Sequence, residues 1–316
     1  MTIRFDGRVA AITGAGRGLG RAYALLLAAR GARLVVNNRL SGDGSSDPAE
    51  ALAREILARG GSAVAEQSDV RTPEAAASIV GRALEAYGRL DVVIHNAGVI
   101  ESRPVAELGE AEFQRVFETH TLSALRLTQE ALPAMRRQRY GRLVFTTSTA
   151  GLYGNHGLAA YAMAKGALLG LMRAVAAEEG PHGILANAIC PTAVTRMTEA
   201  FVPDPVLRAA LAPERVAPAV AWLASEQCTR SGLVLLAGGG FFRSAHTLEN
   251  AGVHLGTASE PSPEDVAACV ERITGAEGLR GFESSHAHFD ALLEDLRRVG
   301  TRAPGAGSHK HGSEPN

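Results

Sequence analysis

The sequence predicts an α/β fold: a doubly wound, mostly parallel sheet of seven strands with helices on both faces, followed by a C-terminal helical extension. Three observations carry this expectation. Short β-rich apolar runs alternate with longer helical patterns, which is how right-handed βαβ units read in sequence. The first run leads straight into a glycine-rich turn that opens a helix. The chain has 316 residues, 46% hydrophobic and 21% charged, enough apolar content for a large core and too much for wholesale disorder.

In chain order, strands are expected at residues 9–13, 33–38, 62–66, 91–95, 142–147, 185–190 and 233–236. Helices are expected between them near residues 17–30, 48–59, 73–87, 110–137, 159–179 and 213–225. Residues 41–47, rich in Gly, Ser and Asp, read as a loop longer than the usual βα turn. After Gly238-Gly239-Gly240 the alternation stops, and helical stretches follow at 262–274 and 285–299. The second is apolar at Phe289, Leu292, Leu293 and Leu296, which suits an extension packed on the sheet domain or across an interface. The expected organisation is thus a sheet domain over 1–245, a helical extension over 246–302 and a disordered Gly/Ser/His/Pro tail over 303–316. His309 and His311 read as part of that solvated tail.

Composition excludes several function classes. A formal net charge of −1 gives no basic face for nucleic acid or an anionic membrane. No run approaches the roughly 20 apolar residues of a membrane span, and the N-terminus lacks the pattern of a signal peptide. Cys190, Cys228 and Cys269 are widely spaced and unpaired in pattern, as expected of reduced thiols in a cytoplasmic protein with no metal site. Only Lys165 and Lys310 are lysines; every other basic residue is arginine.

The glycine turn reads Thr13-Gly14-Ala15-Gly16-Arg17-Gly18-Leu19-Gly20. Its glycines let the backbone approach a pyrophosphate, and the following helix points its N–H groups at it. At the end of the second strand, where an acid would hold an unmodified ribose, stands Asn38, followed by Arg39. That change removes a repelling carboxylate, and Arg39 with Arg17 supplies cations for a 2′-phosphate, so NADP(H) is expected and NAD(H) is the alternative. Asp69 and Val70 after the third strand, and Asn96, Ala97 and Gly98 after the fourth, would line the adenine and ribose edges.

The strand at 142–147 ends in Thr146-Thr147-Ser148, and Tyr161 and Lys165 stand at i and i+4 on the next long helix, sharing a face. With five Tyr and two Lys, chance produces Y-x-x-x-K only about 0.03 times in such a chain. A phenol near pKa 10 needs roughly 4 kcal/mol of preferential phenolate stabilisation to titrate near 7. A neighbouring ammonium and a cationic nicotinamide are expected to supply it, with Ser148 holding the substrate oxygen. Lys165 and Tyr161 would also meet the cofactor, since a compact ammonium can hydrogen-bond ribose hydroxyls.

These residues resemble the short-chain dehydrogenase/reductase family over roughly residues 5–240. The resemblance implies a Rossmann fold and hydride transfer between a nicotinamide and a carbonyl or alcohol. Within the family the chain shows a closer likeness to the (3R)-hydroxyacyl-CoA dehydrogenase units of peroxisomal multifunctional enzymes of type 2. That likeness is carried by Gly18-Leu19-Gly20-Arg21-Ala22-Tyr23-Ala24-Leu25, Val35-Val36-Asn37, Gly151-Leu152-Tyr153-Gly154-Asn155 and Arg196-Met197-Thr198-Glu199. It implies a 3-hydroxyacyl or 3-ketoacyl thioester on CoA or a carrier as substrate; a polyketide or steroid-like ketone is the alternative. The resemblance also places Pro191 and Thr195 at the nicotinamide and His120 at the family's fourth catalytic position, usually Asn. An imidazole there is either a proton relay or a polar lining of a helix bend.

Other residues read more plainly. His95 is expected to be packed, His156 to lie near the catalytic helix with a pocket role only as the alternative, and Cys190 to be a buried apolar side chain. The apolar side of the catalytic helix, Leu168, Leu169, Leu171, Met172 and Val175, exceeds what one sheet face needs and suggests a homodimer or homotetramer. A non-catalytic nucleotide sensor or a partner in a larger complex is the alternative of another class, opposed by the presence of Ser148, Tyr161 and Lys165 together.

Overall fold

The structure, a computed structural model, describes residues 2–40, 47–195, 198–199, 202–256 and 260–300. Its eight strands are β1 (Val9–Ile12), β2 (Arg33–Asn37), β3 (Ser62–Glu66), β4 (Val92–His95), β5 (Gly141–Thr146), β6 (Ile184–Pro191), β7 (Val234–Gly238) and β8 (Phe241–Ala245). They form one sheet in the order β3-β2-β1-β4-β5-β6-β7-β8. The first seven run parallel, as the βαβ pattern requires. The eighth corrects the expected strand number. Gly239 and Gly240 adopt left-handed backbone (φ 59° and 85°), so the chain reverses at once and β8 returns antiparallel beside β7. Four of its five residues are exposed at the sheet edge, so no buried apolar alternation marked it in the sequence.

The helices of this unit are α1 (Gly18–Ala29), α2 (Pro48–Ala58), α3 (Ala75–Tyr87), α4 (Glu110–Phe117), α5 (Ser123–Gln138), α6 (Thr149–Tyr153), α7 (Ala159–Glu179), α8 (Pro205–Ala210) and α9 (Ala217–Ala224). Successive β1 residues feed opposite faces of the sheet. Ala10 and Ile12 pack with Leu27 of α1, Ile56 of α2 and Val220 of α9, while Val9 and Ala11 pack with Ile79 of α3, Met135 of α5 and Met172 of α7. Burying each larger aliphatic side chain in these two layers stabilises the fold by about 1.5–3 kcal/mol.

Two expectations change here. The single helix foreseen over 110–137 is broken by one π-helical turn, Glu118–Leu122. Hydroxyls hold it open: Thr119 Oγ1 donates to the Arg115 carbonyl and Ser123 Oγ to the Thr119 carbonyl, both at 2.7 Å. The inserted residue turns His120 inward, where it is buried. The second change concerns association. Leu168, Leu169, Met172 and Val175 are buried within the chain itself, so they leave no surplus face and do not argue for an oligomer.

The chain divides into two compact units, Met1–Ala245 and His246–Asn316. In the second, Ser262 caps α10 (Pro263–Ala268) through reciprocal bonds with Asp265. The helix expected to run on to 274 is interrupted at Cys269 and resumes as α11 (Val270–Ile273), and α12 (Ser285–Gly300) follows. Residues 41–46 of the predicted loop, residues 301–302 of the extension and the predicted tail over 303–316 lie outside the described residues.

Candidate active site

The strand order reverses direction between β1 and β4, which opens a crevice at the carboxyl ends of the parallel strands. A cleft of about 850 Å³ lies there, lined from the ends of β1, β2, β3, β4, β5 and β6. Its floor is the glycine turn. Gly14 and Gly18 have left-handed φ of 63° and 52° and line the cleft with Arg17 and Leu19. Gly16 and Gly20 do not reach it. A Cβ on Gly16 would stand 2.4 Å from Pro48 Cβ, and one on Gly20 2.4 Å from the Gly14 carbonyl, so these two glycines permit close packing of turn and helix. Asn96 ties the two strand ends together: its side-chain amide donates to the carbonyls of Thr13 (3.0 Å) and Gly14 (3.1 Å). Ala97 and Gly98 follow it along the wall.

Asn38, Arg39, Asp69 and Val70 line the cleft at the other end. Among the described residues neither Arg17 nor Arg39 has an ion-pair partner, and the Asn38 amide donates to the Arg39 carbonyl at 2.8 Å. Sequence reading missed Arg71, which lines the same end and grips both carboxylate oxygens of Asp69. That hydrogen-bonded guanidinium holds the Asp69 carboxyl below its ordinary range. Arg71 stands two residues after Asp69, a spacing whose only signal is charge.

The reacting groups gather where β5 meets α7. Ser148 caps α6, its Oγ accepting the Ala150 N–H at 3.1 Å, and lines the same cleft as Tyr161. Lys165 is buried, with Nζ 2.6 Å from the Thr146 carbonyl and 5.5 Å from the centre of the Tyr161 ring. Thr147 Oγ1 returns a bond to the Lys165 carbonyl at 2.9 Å. Burial lowers the Lys165 ammonium to about 7 and raises the Tyr161 phenol above its ordinary value, with the neighbouring Ser148 hydroxyl pulling the other way. In the protein alone, then, burial outweighs the expected effect of the ammonium on the phenol. The His120 ring meets Tyr161 edge-on, with centroids 5.3 Å apart. Its Nε2 lies 2.8 Å from the Val99 carbonyl and 3.0 Å from the Val99 N–H, while its buried Nδ1 has no partner among the described residues. Burial, then the Lys165 charge, push His120 well below its ordinary pKa.

Pro191 and Thr195 line the cleft on the β6 side. Thr198, quoted in the sequence only for its likeness, shapes that wall: its Oγ1 accepts the Thr195 N–H and donates to the Ala193 carbonyl, each at 2.9 Å. Arg196 and Met197 beside it lie outside the described residues. The rim is fastened by ion pairs: Glu101 with Arg115, and Arg103 with Glu112 of α4. The Arg103 N–H also donates to the Gly157 carbonyl at 2.8 Å. His156 is exposed and does not line the cleft. His95 is packed as expected, stacked on Phe145 and lowered to about 3 by burial. Cys190 is buried and its thiol pushed up to about 12 by burial, which leaves no thiolate at neutral pH.

The glycines fit a dinucleotide: Gly14 and Gly18 leave backbone exposed on the cleft floor, in conformations that other residues adopt only under strain. Fold and cleft together define the class. The chain belongs to the short-chain dehydrogenase/reductase family of NAD(P)-dependent oxidoreductases, and the family model described as short chain dehydrogenase matches residues 8–205. Among particular proteins, it is 40% identical over 307 residues to peroxisomal multifunctional enzyme type 2 of Drosophila melanogaster, covering 94% of this chain and 51% of that protein. It is 35% identical over 225 residues to a 3-oxoacyl-acyl-carrier-protein reductase of Synechocystis, covering 69% of this chain and 90% of that one. A crystal structure of a short chain dehydrogenase from Mycobacterium avium superposes with a TM-score of 0.76 at 37% identity, covering 86% of this chain and 96% of that one. The chain spans about half the length of the multifunctional enzymes it matches. No helix among the described residues is long and apolar enough to cross a membrane.

Proposed function

We propose that this chain is an NADP(H)-preferring oxidoreductase that interconverts a ketone and a secondary alcohol, with residues 1–245 as the catalytic unit and 246–302 as its helical extension. The observation that carries the chemistry is the convergence of Ser148, Tyr161 and buried Lys165 on one cleft. When bound, the nicotinamide supplies or accepts the hydride. Ser148 Oγ would hold the substrate oxygen, and Tyr161 Oη would give it a proton during reduction and take one during oxidation. Lys165, fixed by Thr146, would favour the phenolate and hold the cofactor ribose. His120 lies against Tyr161 and would serve as the fourth polar group of the proton path.

The cofactor preference rests on Arg17 and Arg39, free of ion-pair partners among the described residues, beside Asn38 where an acid would repel a 2′-phosphate. The substrate class read from the resemblance is a 3-hydroxyacyl or 3-ketoacyl thioester on CoA or a carrier, and the name of the Synechocystis relative supports it. Three unpaired cysteines, two of them buried, suit a reducing compartment such as the cytoplasm. A homodimer or homotetramer, suggested in the sequence by the apolar side of the catalytic helix, stays in this proposal without that support, since that side is buried within the chain.

The test is Tyr161→Phe assayed with NADPH and a panel of 3-ketoacyl thioesters and other ketones. Turnover is expected to fall about 10²–10⁴-fold with cofactor binding retained. Near-normal turnover in the variant would reject the mechanism.

A further inference from the structure

Asp69 and Arg39 line the same end of the cleft, and an acid beside a phosphate-binding guanidinium is a competitor for it. The Arg71 hydrogen bond is the main cause that holds the Asp69 carboxyl low, and the Arg39 charge adds to it in the same direction. Asp69 thus pairs elsewhere. Arg71 Nε lies 3.0 and 3.1 Å from its two oxygens, Nη2 2.5 Å from Oδ2, and the Arg71 backbone N–H donates to Oδ1 at 3.1 Å. This fork is fixed at its base, because Arg126 Nη1 of α5 donates to the Arg71 carbonyl at 2.8 Å. A bidentate guanidinium takes up the carboxylate's charge and most of its lone pairs.

We propose that Arg71 is a specificity-determining positioning residue: by holding Asp69 it keeps that carboxylate off Arg39 and leaves Arg39 and Arg17 to a phosphate on the cofactor ribose. Arg71 need not touch the phosphate. Its effect on cofactor choice passes through Asp69, and the inference rests on the NADP(H) reading above.

Two fragments separate the inference from that reading: 2′,5′-ADP, which carries the ribose phosphate, and 5′-AMP, which lacks it. Their affinities for the full chain are measured by calorimetry. The wild type should prefer 2′,5′-ADP; equal binding would refute the NADP(H) reading and this inference with it. In Arg71→Gln the preference should drop about tenfold, the scale of one charge-assisted hydrogen bond, through weaker 2′,5′-ADP binding. Adding Asp69→Asn to Arg71→Gln should restore it, because the amide no longer competes for Arg39. Should Arg71→Gln fail to fold, Arg71→Lys serves, since a point charge cannot occupy both oxygens. A wild type that discriminates while the Arg71 variant keeps the same preference would overturn the inference alone. So would a loss that Asp69→Asn does not repair, because a merely structural Arg71 would weaken both fragments alike.

Discussion

Lys165 Nζ donates to the Thr146 carbonyl at 2.6 Å, so the base of the catalytic helix is latched to the end of the strand that delivers Ser148. The ammonium sits there with no carboxylate partner among the described residues and is lowered to about 7 by burial. Folding is therefore linked to its proton. Between pH 7 and the ordinary lysine value of 10.5, the unfolded chain binds this proton and the folded chain does not. Stability from this group must accordingly rise with pH across that window and stay level below it. Urea unfolding of wild type and Lys165→Met should show the wild type gaining on the variant from pH 7 to pH 10. A pH-independent difference would contradict burial as the cause.

Arginine should not replace this lysine. A planar guanidinium is larger, stays protonated, and cannot keep the single short bond to Thr146. Lys165→Arg is expected to cut turnover about 10²–10⁴-fold, and to do so as severely as Lys165→Met. Steady-state rates at saturating NADPH decide it.

Arg39→Ala should weaken NADPH by about tenfold or more while leaving NADH nearly unchanged, since only one carries the ribose phosphate. KM for the two cofactors, measured at low and high salt, checks this. An equal loss for both would defeat the assignment.

Glycine substitutions should separate packing from propensity. A Cβ on Gly20 would stand 2.4 Å from the Gly14 carbonyl and 2.6 Å from Asn96 Nδ2, whereas one on Gly81 of α3 meets nothing within 4 Å. Gly20→Ala is expected to cost about 1–3 kcal/mol, and Gly81→Ala to add about 0.5–1 kcal/mol. Thermal unfolding of the two variants should move in opposite directions.

At the other ends of the strands, Asp91 is fully buried and accepts bonds from Arg8, Arg89 and the Val9 N–H. Asp91→Ala removes the carboxylate shared by Arg8 and Arg89, of which Arg8 keeps Glu226 as a partner, and should destabilise the fold by about 1–3 kcal/mol. Its turnover per folded molecule should stay near normal, because the site lies at the opposite edge of the sheet. Loss of turnover without loss of stability would contradict this placement.

Most of the fold and much of the candidate site were legible because their signals are local. The glycine spacing from Gly14 to Gly20 follows a strand directly, and Tyr161 and Lys165 share a helical face by their spacing alone. What escaped depends on chain reversal or on contacts across the fold. β8 hangs on the left-handed pair Gly239 and Gly240, and its exposed residues show no pattern. The π-helical turn that faces His120 inward is set by two hydroxyls bonding one turn back, which helical periodicity does not register. Sequence also cannot show that Gly16 and Gly20 pack closely against Pro48 and the Gly14 carbonyl, a constraint separate from any contact with a ligand. The Leu168 to Val175 face looked excessive because the depth of the core beneath it was not visible.

The rim ion pairs of Glu101 with Arg115 and Arg103 with Glu112 bind the short stretch from Glu101 to Arg103 to α4, beyond the residues from Asn96 to Val99 that line the cleft. Substrate scope can therefore be recast by exchanging that segment and α4 together as a cassette, in steps that leave the reacting groups in register. Exchanging either half alone would strand two charges at the mouth of the cleft, so new preferences should arise by paired replacements rather than by single drift.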